Sequence, residues 1–201
     1  MASGSRFVRH VKWWFFVLPL LVCVVLPAIP DRALFEISDV ESQSVVRALG
    51  DDRAAAAVDT TNALFRRLFV DTGAVQATIS AGGDDDLDAD GMHGFAIAWA
   101  KHFWMLVYRA LYRAVVMHAW LAGLAVLCLA ATADGAVRRK IRAAAAGFAS
   151  PLKFHLAMHA LLLTLGATFT VTLLPVPLIA QCWTAIAVVM PLLLWIVNSS
   201  G

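Results

Sequence analysis

Charge is scarce in this chain. Only 15% of its 201 residues are charged, against about a quarter in an ordinary soluble domain. That deficit excludes a water-exposed surface over most of the polypeptide. Acidic residues are almost confined to one stretch: thirteen of the fourteen lie in 31–90, and Asp134 is the exception. Cysteines are few. Cys23, Cys128 and Cys182 all sit inside apolar runs, which excludes a disulfide framework, because that needs paired cysteines in a polar, oxidising setting. No CxxC spacing occurs, so thiolate metal sites of that type are excluded as well. No Ser–His–Asp arrangement, P-loop or nucleotide-binding motif is present, and the expectation is a protein that is not an enzyme and holds no cofactor. The net charge of +2 is too small to point to nucleic acid. A recognisable nucleic-acid fold and an aromatic platform are both lacking, and no direct nucleic-acid partner is expected.

What is abundant is hydrocarbon. Hydrophobic residues make up 61% of the chain and mean hydropathy is +0.75. They collect in runs of the roughly 20 residues that a helix needs to cross a bilayer. The expected fold is an all-α integral membrane protein with about four transmembrane helices. Residues 1–30 form a basic tail, with Arg6, Arg9 and Lys12, leading into the uncharged run at 13–29. This order of parts resembles a secretory signal, but the run ends in LPAIPD without a small-x-small cleavage site, so an uncleaved anchor is expected. Trp13 and Trp14 suit the headgroup level; Pro19 should kink the helix, and Pro27 and Pro30 should end it.

Residues 31–91 are polar. Ser38 and Glu41 have capping-box spacing and mark a helix start. Val58, Phe65, Leu68 and Phe69 fall near one helical face, and Gly73 is a plausible stop. Short amphipathic helices are expected here, followed by a linker from Gln76 to Gly91. A helical pattern fills 92–133. As one helix it would be roughly 60 Å long, twice the ~30 Å hydrocarbon core, so its first half either leaves the membrane or lies on it. Residues 134–153 form a basic connection, and 154–201 form a hairpin of two spans at 154–174 and 178–197, turned by Pro175 and Pro177.

Lys and Arg mark cytoplasmic loops. The 134–153 connection carries Arg138, Arg139, Lys140, Arg142 and Lys153, and the N-terminal tail carries three more. Four spans then place both termini and this connection inside, and the 31–91 segment outside with a charge of about −8. That is the layout of a multi-pass protein of a bacterial inner membrane. Five cations beside a bilayer attract anionic lipid at around 1 kcal/mol each, or dock on an acidic partner. Arg138, Arg139, Lys140 and Arg142 are therefore candidate lipid or partner contacts.

Other residues admit a sharper and a plainer reading. Arg109 and Arg113 are four apart and share a helical face. Contacting a partner, or lining a transport path with His155 as a third member, is the sharper reading, since ionisable residues at membrane depth are functional by default. Snorkelling to phosphates near a span end is the plainer one, with the aspartates of 84–90 as a further counter-charge. DLDADG, 86–91, copies the start of an EF-hand loop, yet position 12 is Ile97 where a bidentate Glu belongs, and a solvated acidic linker is the plainer account. His155 and His159 have i, i+4 spacing but no HExxH glutamate; hydrogen bonding to a neighbouring helix accounts for them better than metal. Thr164, Thr168, Thr170 and Thr172 with Gly166 mark the third span as one that packs on protein, its own chain or another copy.

The connection and the helix after it carry a longer pattern, D-G-x-V-x-R-x-I-R, four residues, then G-x-x-S-x-x-x-F-H-x-A. Here it is Asp134, Gly135, Val137, Arg139, Ile141, Arg142, Gly147, Ser150, Phe154, His155 and Ala157. It resembles a family of inner-membrane proteins encoded by integrating conjugative elements and related plasmids. That family usually has Tyr at the position of Phe154 and often a basic residue at that of Met158. The resemblance implies a role in conjugative DNA transfer through a type IV secretion apparatus, beside other membrane components such as the coupling ATPase, with no catalytic residues to carry over. It leads to the expectation that Asp134 caps a basic helix beginning after it, that Arg139 and Arg142 face lipid or partner, and that Gly147 ends that helix. A non-enzymatic membrane scaffold is the reading; a small transporter or channel-like protein is the alternative.

Overall fold

A computed structural model of the chain describes residues 12–81 and 90–200, with side chains from residue 93 onward in the second stretch. Among these residues every regular element is helical. We number the helices α1 (Trp13–Ala28), α2 (Asp39–Leu49), α3 (Asp51–Phe65), α4 (Ala74–Ser80), α5 (Asp90–Ala144), α6 (Pro151–Leu173) and α7 (Ala180–Ser200). The chain divides into two compact units. One comprises Phe16–Val116 and Thr170–Ile179; the other comprises Met1–Phe15, Met117–Phe169 and Ala180–Gly201.

Among the described residues three helices, α5, α6 and α7, are long and apolar enough to cross a bilayer. The sequence reading counted four, and α1 is the difference. It opens with a widened π turn over Trp13–Val17 and closes with a tight 3-10 turn over Leu26–Ala28. The widened turn precedes Pro19, whose missing N–H forbids the ordinary bond to residue 15. Pro27 tightens the other end. What is left is about 24 Å of helix, short of the ~30 Å core.

The first unit is built on the first half of α5. Phe35, Val45, Leu106, Tyr112 and Val116 form its apolar centre, all within 3% of complete burial. Helix α2 starts as expected: the Ser38 hydroxyl accepts from the Glu41 backbone N–H at 3.3 Å. Gly50, at φ 85°, turns α2 into α3, and α3 buries Ala54, Ala57 and Thr61. That face is not the apolar stripe read from the sequence, and Val58 and Leu68 stay exposed. The π turn at Arg66–Val70 adds a residue to the helical phase. It brings Phe69 round beside Phe65, and both rings pack on Trp104 of α5, at 5.2 and 6.1 Å between centroids. Gly73 is left-handed, φ 76°, and stops this run as expected. The linker expected from Gln76 begins later, because α4 occupies Ala74–Ser80. Helix α1 contributes its second half to the unit. Pro27 has no N–H to offer the Val24 carbonyl, and the Trp99 indole donates to that carbonyl at 3.0 Å. His102 is buried against Phe35 and bonds the Pro27 carbonyl at 3.1 Å.

The second unit holds the rest of α5, most of α6 and all of α7, with the first residues of α1. Helix α5 runs without interruption through Asp134 and Gly135 to Ala144, where the sequence reading placed a break and a new helix. A helical glycine costs about 1 kcal/mol relative to alanine, but Gly135 lies where α5 touches α7. A Cβ added there would stand 2.8 Å from the Asn198 Cβ and 3.0 Å from the Trp195 carbonyl oxygen. Gly166 of α6 plays the same part against α1, since a Cβ would lie 2.5 Å from the Trp14 Cβ. Phe15 stacks on Phe169 at 5.6 Å beside it. Small residues at close helix contacts were the sequence signal for α6, and Gly166 meets that expectation within the chain itself. Away from these contacts the helices present hydrocarbon: Val126, Leu129, Val188 and Leu192 are each more than half exposed.

Candidate functional site

Two constellations carry the charge that this chain otherwise lacks. The first is buried in the unit containing α2. Arg109 and Arg113 lie one turn apart on α5, and Glu41 of α2 lies between them, all three at 1–2% exposure. Arg113 Nε donates to Glu41 Oε1 at 2.7 Å and Nη2 to Oε2 at 2.9 Å. Arg109 Nη2 donates to Oε2 at 3.0 Å. The backbone N–H of Leu178 adds a fourth bond, 3.2 Å to Oε2.

One carboxylate cannot balance two guanidiniums, and backbone carbonyls supply the remainder. Arg113 Nη1 reaches the carbonyls of Val171, Thr172 and Leu174 at 3.1, 3.1 and 2.7 Å, while Nη2 also bonds that of Val176. These oxygens lie at and just beyond the C-terminus of α6, where the last carbonyls lack intrahelical donors and the helix dipole favours a cation. Pro175 and Pro177 remove two more backbone donors from the same turn. Arg109 bonds the carbonyls of Leu34 and Val176 at 2.7 and 3.1 Å; its buried Nε has no hydrogen-bond partner among the described residues. Burial alone would raise the Glu41 carboxyl. The hydrogen bonds and charge of Arg113, then of Arg109, outweigh it and hold the group below the ordinary glutamate range.

This arrangement corrects the sequence reading of Arg109 and Arg113. They are not at a lipid-facing surface, where snorkelling would leave the guanidiniums exposed. They are enclosed, because α2 and the 174–178 turn cover that face of α5 and bring a carboxylate to it. The side chains of the aspartates of 84–90 lie outside the described residues, and the described counter-charge is Glu41. Glu41 was read only as half of a capping box, and its side chain does not turn back to the cap. The signal that could have found it is its place on one face with Val45, four residues on and 2% exposed. A carboxylate on the buried face of an amphipathic helix calls for a cation.

The second constellation is the end of the other unit where α5 stops and α6 begins. Helix α5 ends in a Schellman arrangement: the Gly147 N–H bonds the Arg142 carbonyl at 2.9 Å and the Ala146 N–H bonds that of Ala143 at 3.2 Å. The left-handed residue is Ala146, φ 51°, not Gly147. Gly147 is needed for space, since a Cβ would stand 2.6 Å from the Arg142 Cγ. It ends the helix as expected, by a different device. Asp134 is no cap. It sits inside α5, accepts from the Trp195 indole at 2.6 Å and pairs with Arg138 at 3.6 Å. Arg138 in turn lies 5.2 Å over the Trp195 ring. Asp134 and Gly135 thus hold α7 to α5.

Arg138, Arg139 and Lys140 are exposed and Arg142 is half-buried. Apolar side chains are exposed among them: Ile141 at 63%, Phe148 at 95% and Leu152 at 78%. Ser150 and Pro151 start α6 with the usual Pro at its first position. Ala157 is buried. Phe154 meets His155 edge to face at 5.6 Å; His155 is exposed and His159 half-buried. His155 belongs to a different unit from Arg109 and Arg113. Among the described residues no group of three His, Cys, Asp or Glu side chains is placed to hold a metal ion. The side chains of the calcium-like letters 86–91 lie outside the described residues.

Fold and sites together define an all-helical protein whose three longest helices have the length and apolarity of membrane spans. The chain belongs to the DtrJ-like family, IncC plasmid conjugative DNA transfer protein DtrJ-like, with residues 32–200 matched. The family is one of conjugative DNA transfer, as the pattern at 134–157 implied, and the match takes in both constellations. No curated protein and no solved structure matches the chain.

Proposed function

We propose that this protein is a non-enzymatic scaffold of the inner membrane in a conjugative DNA-transfer apparatus of the type IV secretion kind, borne by an integrating element or a plasmid. Helices α5, α6 and α7 cross the bilayer, and α1 is a shorter anchor. Both termini and the α5–α6 connection face the cytoplasm, and the unit containing α2 lies outside. The observation that carries this reading is the mixed surface at the end of α5, where Arg138, Arg139 and Lys140 are exposed beside Ile141 and Phe148. A merely solvated loop has no use for a phenylalanine at 95% exposure; a surface that docks on lipid and membrane partners does. Its partners are membrane lipids and other membrane proteins of the apparatus, the coupling ATPase or a second copy of this chain among them.

The test is Arg139→Ala with Arg142→Ala. Two cations at around 1 kcal/mol each correspond to roughly thirtyfold in affinity. Transfer frequency and co-purification of apparatus proteins are expected to fall while the chain still fractionates with membranes. Unchanged transfer in a stably inserted variant would end the scaffold reading. Topology is checked by labelling single cysteines at 138–142 in intact cells; modification from the external face would invert it.

A further inference from the structure

In the unit containing α2, the 3-10 turn Arg32–Phe35, the end of α3, α4 and the first half of α5 surround a cavity of about 440 Å³. That lies within the roughly 300–1,000 Å³ of ordinary small-molecule sites. Every lining residue, and each residue beside it in the chain, belongs to the described part. Four of the lining side chains are aromatic: Phe35, Phe65, Trp104 and Tyr108. Ile37, Val75 and Met105 complete the apolar wall. Phe65 stands nearly perpendicular to Trp104, at 6.1 Å between centroids, and to Tyr108, at 5.4 Å. The polar side-chain groups of this wall are committed to neighbours. The Trp104 indole donates to the Thr78 hydroxyl and the Tyr108 hydroxyl to the Asn62 side-chain oxygen, both at 2.7 Å. The two charged residues of the lining, Arg32 and Glu36, pair with each other at 3.0 Å, so neither sign of charge is left over. Water would fill such a space poorly. About fifteen molecules would fit at ~30 Å³ each, and an ordered one needs roughly two to four polar partners.

We propose that this cavity binds one small, uncharged aromatic molecule. An ion entering it would give up hydration and find only charges that are already matched. A flexible aliphatic chain would be held by its area alone, whereas a ring gains edge-to-face contacts with walls made of rings. Bound there, the molecule would tie α4 and the Arg32–Phe35 turn to α5. The site goes beyond the scaffold reading. It holds whether or not the chain crosses a bilayer, because all of it lies within Phe16–Val116 of one unit.

The experiment uses the full chain purified in neutral detergent, with a fluoroindole as the probe, followed by fluorine NMR. Partition into micelles is linear in probe concentration, and specific binding saturates. Two variants fill the cavity, Val75→Phe and Ile37→Phe, each checked by its unfolding temperature so that a misfolded one is set aside. The native chain is expected to bind one probe per chain, and the filled variants to lose about tenfold or more in affinity. Cyclohexanol, which has no π face, and the ions tryptamine and indole acetate are each expected to compete about tenfold less well than indole. A measurement that needs no variant is photolabelling with phenyl azide. It should mark the Trp104–Tyr108 stretch in preference to the exposed faces of α6 and α7. Purely linear uptake, saturable binding unchanged in a folded filled variant, or even labelling along the chain overturns the site. Equal competition by cyclohexanol overturns the aromatic class, and equal competition by either ion overturns the uncharged one. None of these outcomes bears on the scaffold reading, which stands or falls on transfer by the Arg139→Ala, Arg142→Ala variant.

Discussion

Replacing Glu41 by Gln should be among the most damaging single changes in the chain, although it alters one atom pair. Glu41 receives three guanidinium bonds and one backbone bond, at 2.7–3.2 Å, in a site with 1% exposure. Gln keeps the shape but presents one acceptor oxygen and two donors. At least one guanidinium bond becomes a clash of donors, and two buried positive charges lose the one carboxylate that pairs with them among the described residues. Removing one member of a buried ionic group typically costs about 3–5 kcal/mol, a large part of the 5–15 kcal/mol that holds an ordinary domain folded. For a chain of this size each kcal/mol shifts the melting temperature by roughly 2–4 °C, so a fall of about 10 °C is expected in the full chain in detergent. A mutant cycle isolates the cause. On the Glu41→Leu background, Arg113→Leu should cost much less than in the native chain, since the charge it removes is already uncompensated. Additive losses would refute the idea that the three side chains act as one group. So would a shift of less than about 2 °C, which is under 1 kcal/mol on the same scale.

The same group sets a pH response. The Glu41 carboxyl is held below the ordinary glutamate value of 4.5 in the folded chain, so the unfolded chain binds a proton first as pH falls. Its contribution is therefore complete above that ordinary value and lost as pH drops through the lower, folded one; the stability gap between native and Glu41→Gln should be flat from neutral pH to about 5 and close below it. Gly135→Leu should push α7 from α5 and cost about 1–3 kcal/mol, measured as a lower melting temperature, and Gly147→Ala, whose Cβ would stand 2.6 Å from the Arg142 Cγ and 3.2 Å from the Arg142 carbonyl oxygen, should lower it as well. Ala146→Gly should stabilise by about 0.5–1 kcal/mol, because a left-handed alanine costs 1–2 kcal/mol and glycine returns part of that as entropy; a lower melting temperature for this variant would refute the assigned backbone geometry.

Much of the architecture could be read from periodicity and punctuation. The Ser38 start, the Gly73 stop and the two apolar helices around the Pro175–Pro177 turn need only local chemistry, and they appear within a turn of where the letters put them. The end of α5 was misread because Asp134 and Gly135 have the chemistry of a helix boundary. Only contact with Trp195 and Asn198 shows that they serve helix packing. The Glu41–Arg109–Arg113 group was half legible. The two arginines were conspicuous among aromatics, but their partner is 68 to 72 residues away in sequence, and no local pattern reports such a distance. The wide turn at Arg66–Val70 also left no mark in composition, yet it decides which rings α5 meets.

The lock on Glu41 has a consequence for the order of events at the ribosome. Its last component, the Leu178 amide, lies 137 residues after the carboxylate it serves, and the carbonyls that surround Arg113 are made shortly before it. Until the polypeptide has been synthesised that far, two guanidiniums in α5 have no completed enclosure. Premature termination before Leu178 would therefore leave a product that has made its acid and its bases but lacks the last bond that closes them into a dry pocket. Quality-control proteases would find such a fragment open at the point where the finished protein is most tightly sealed.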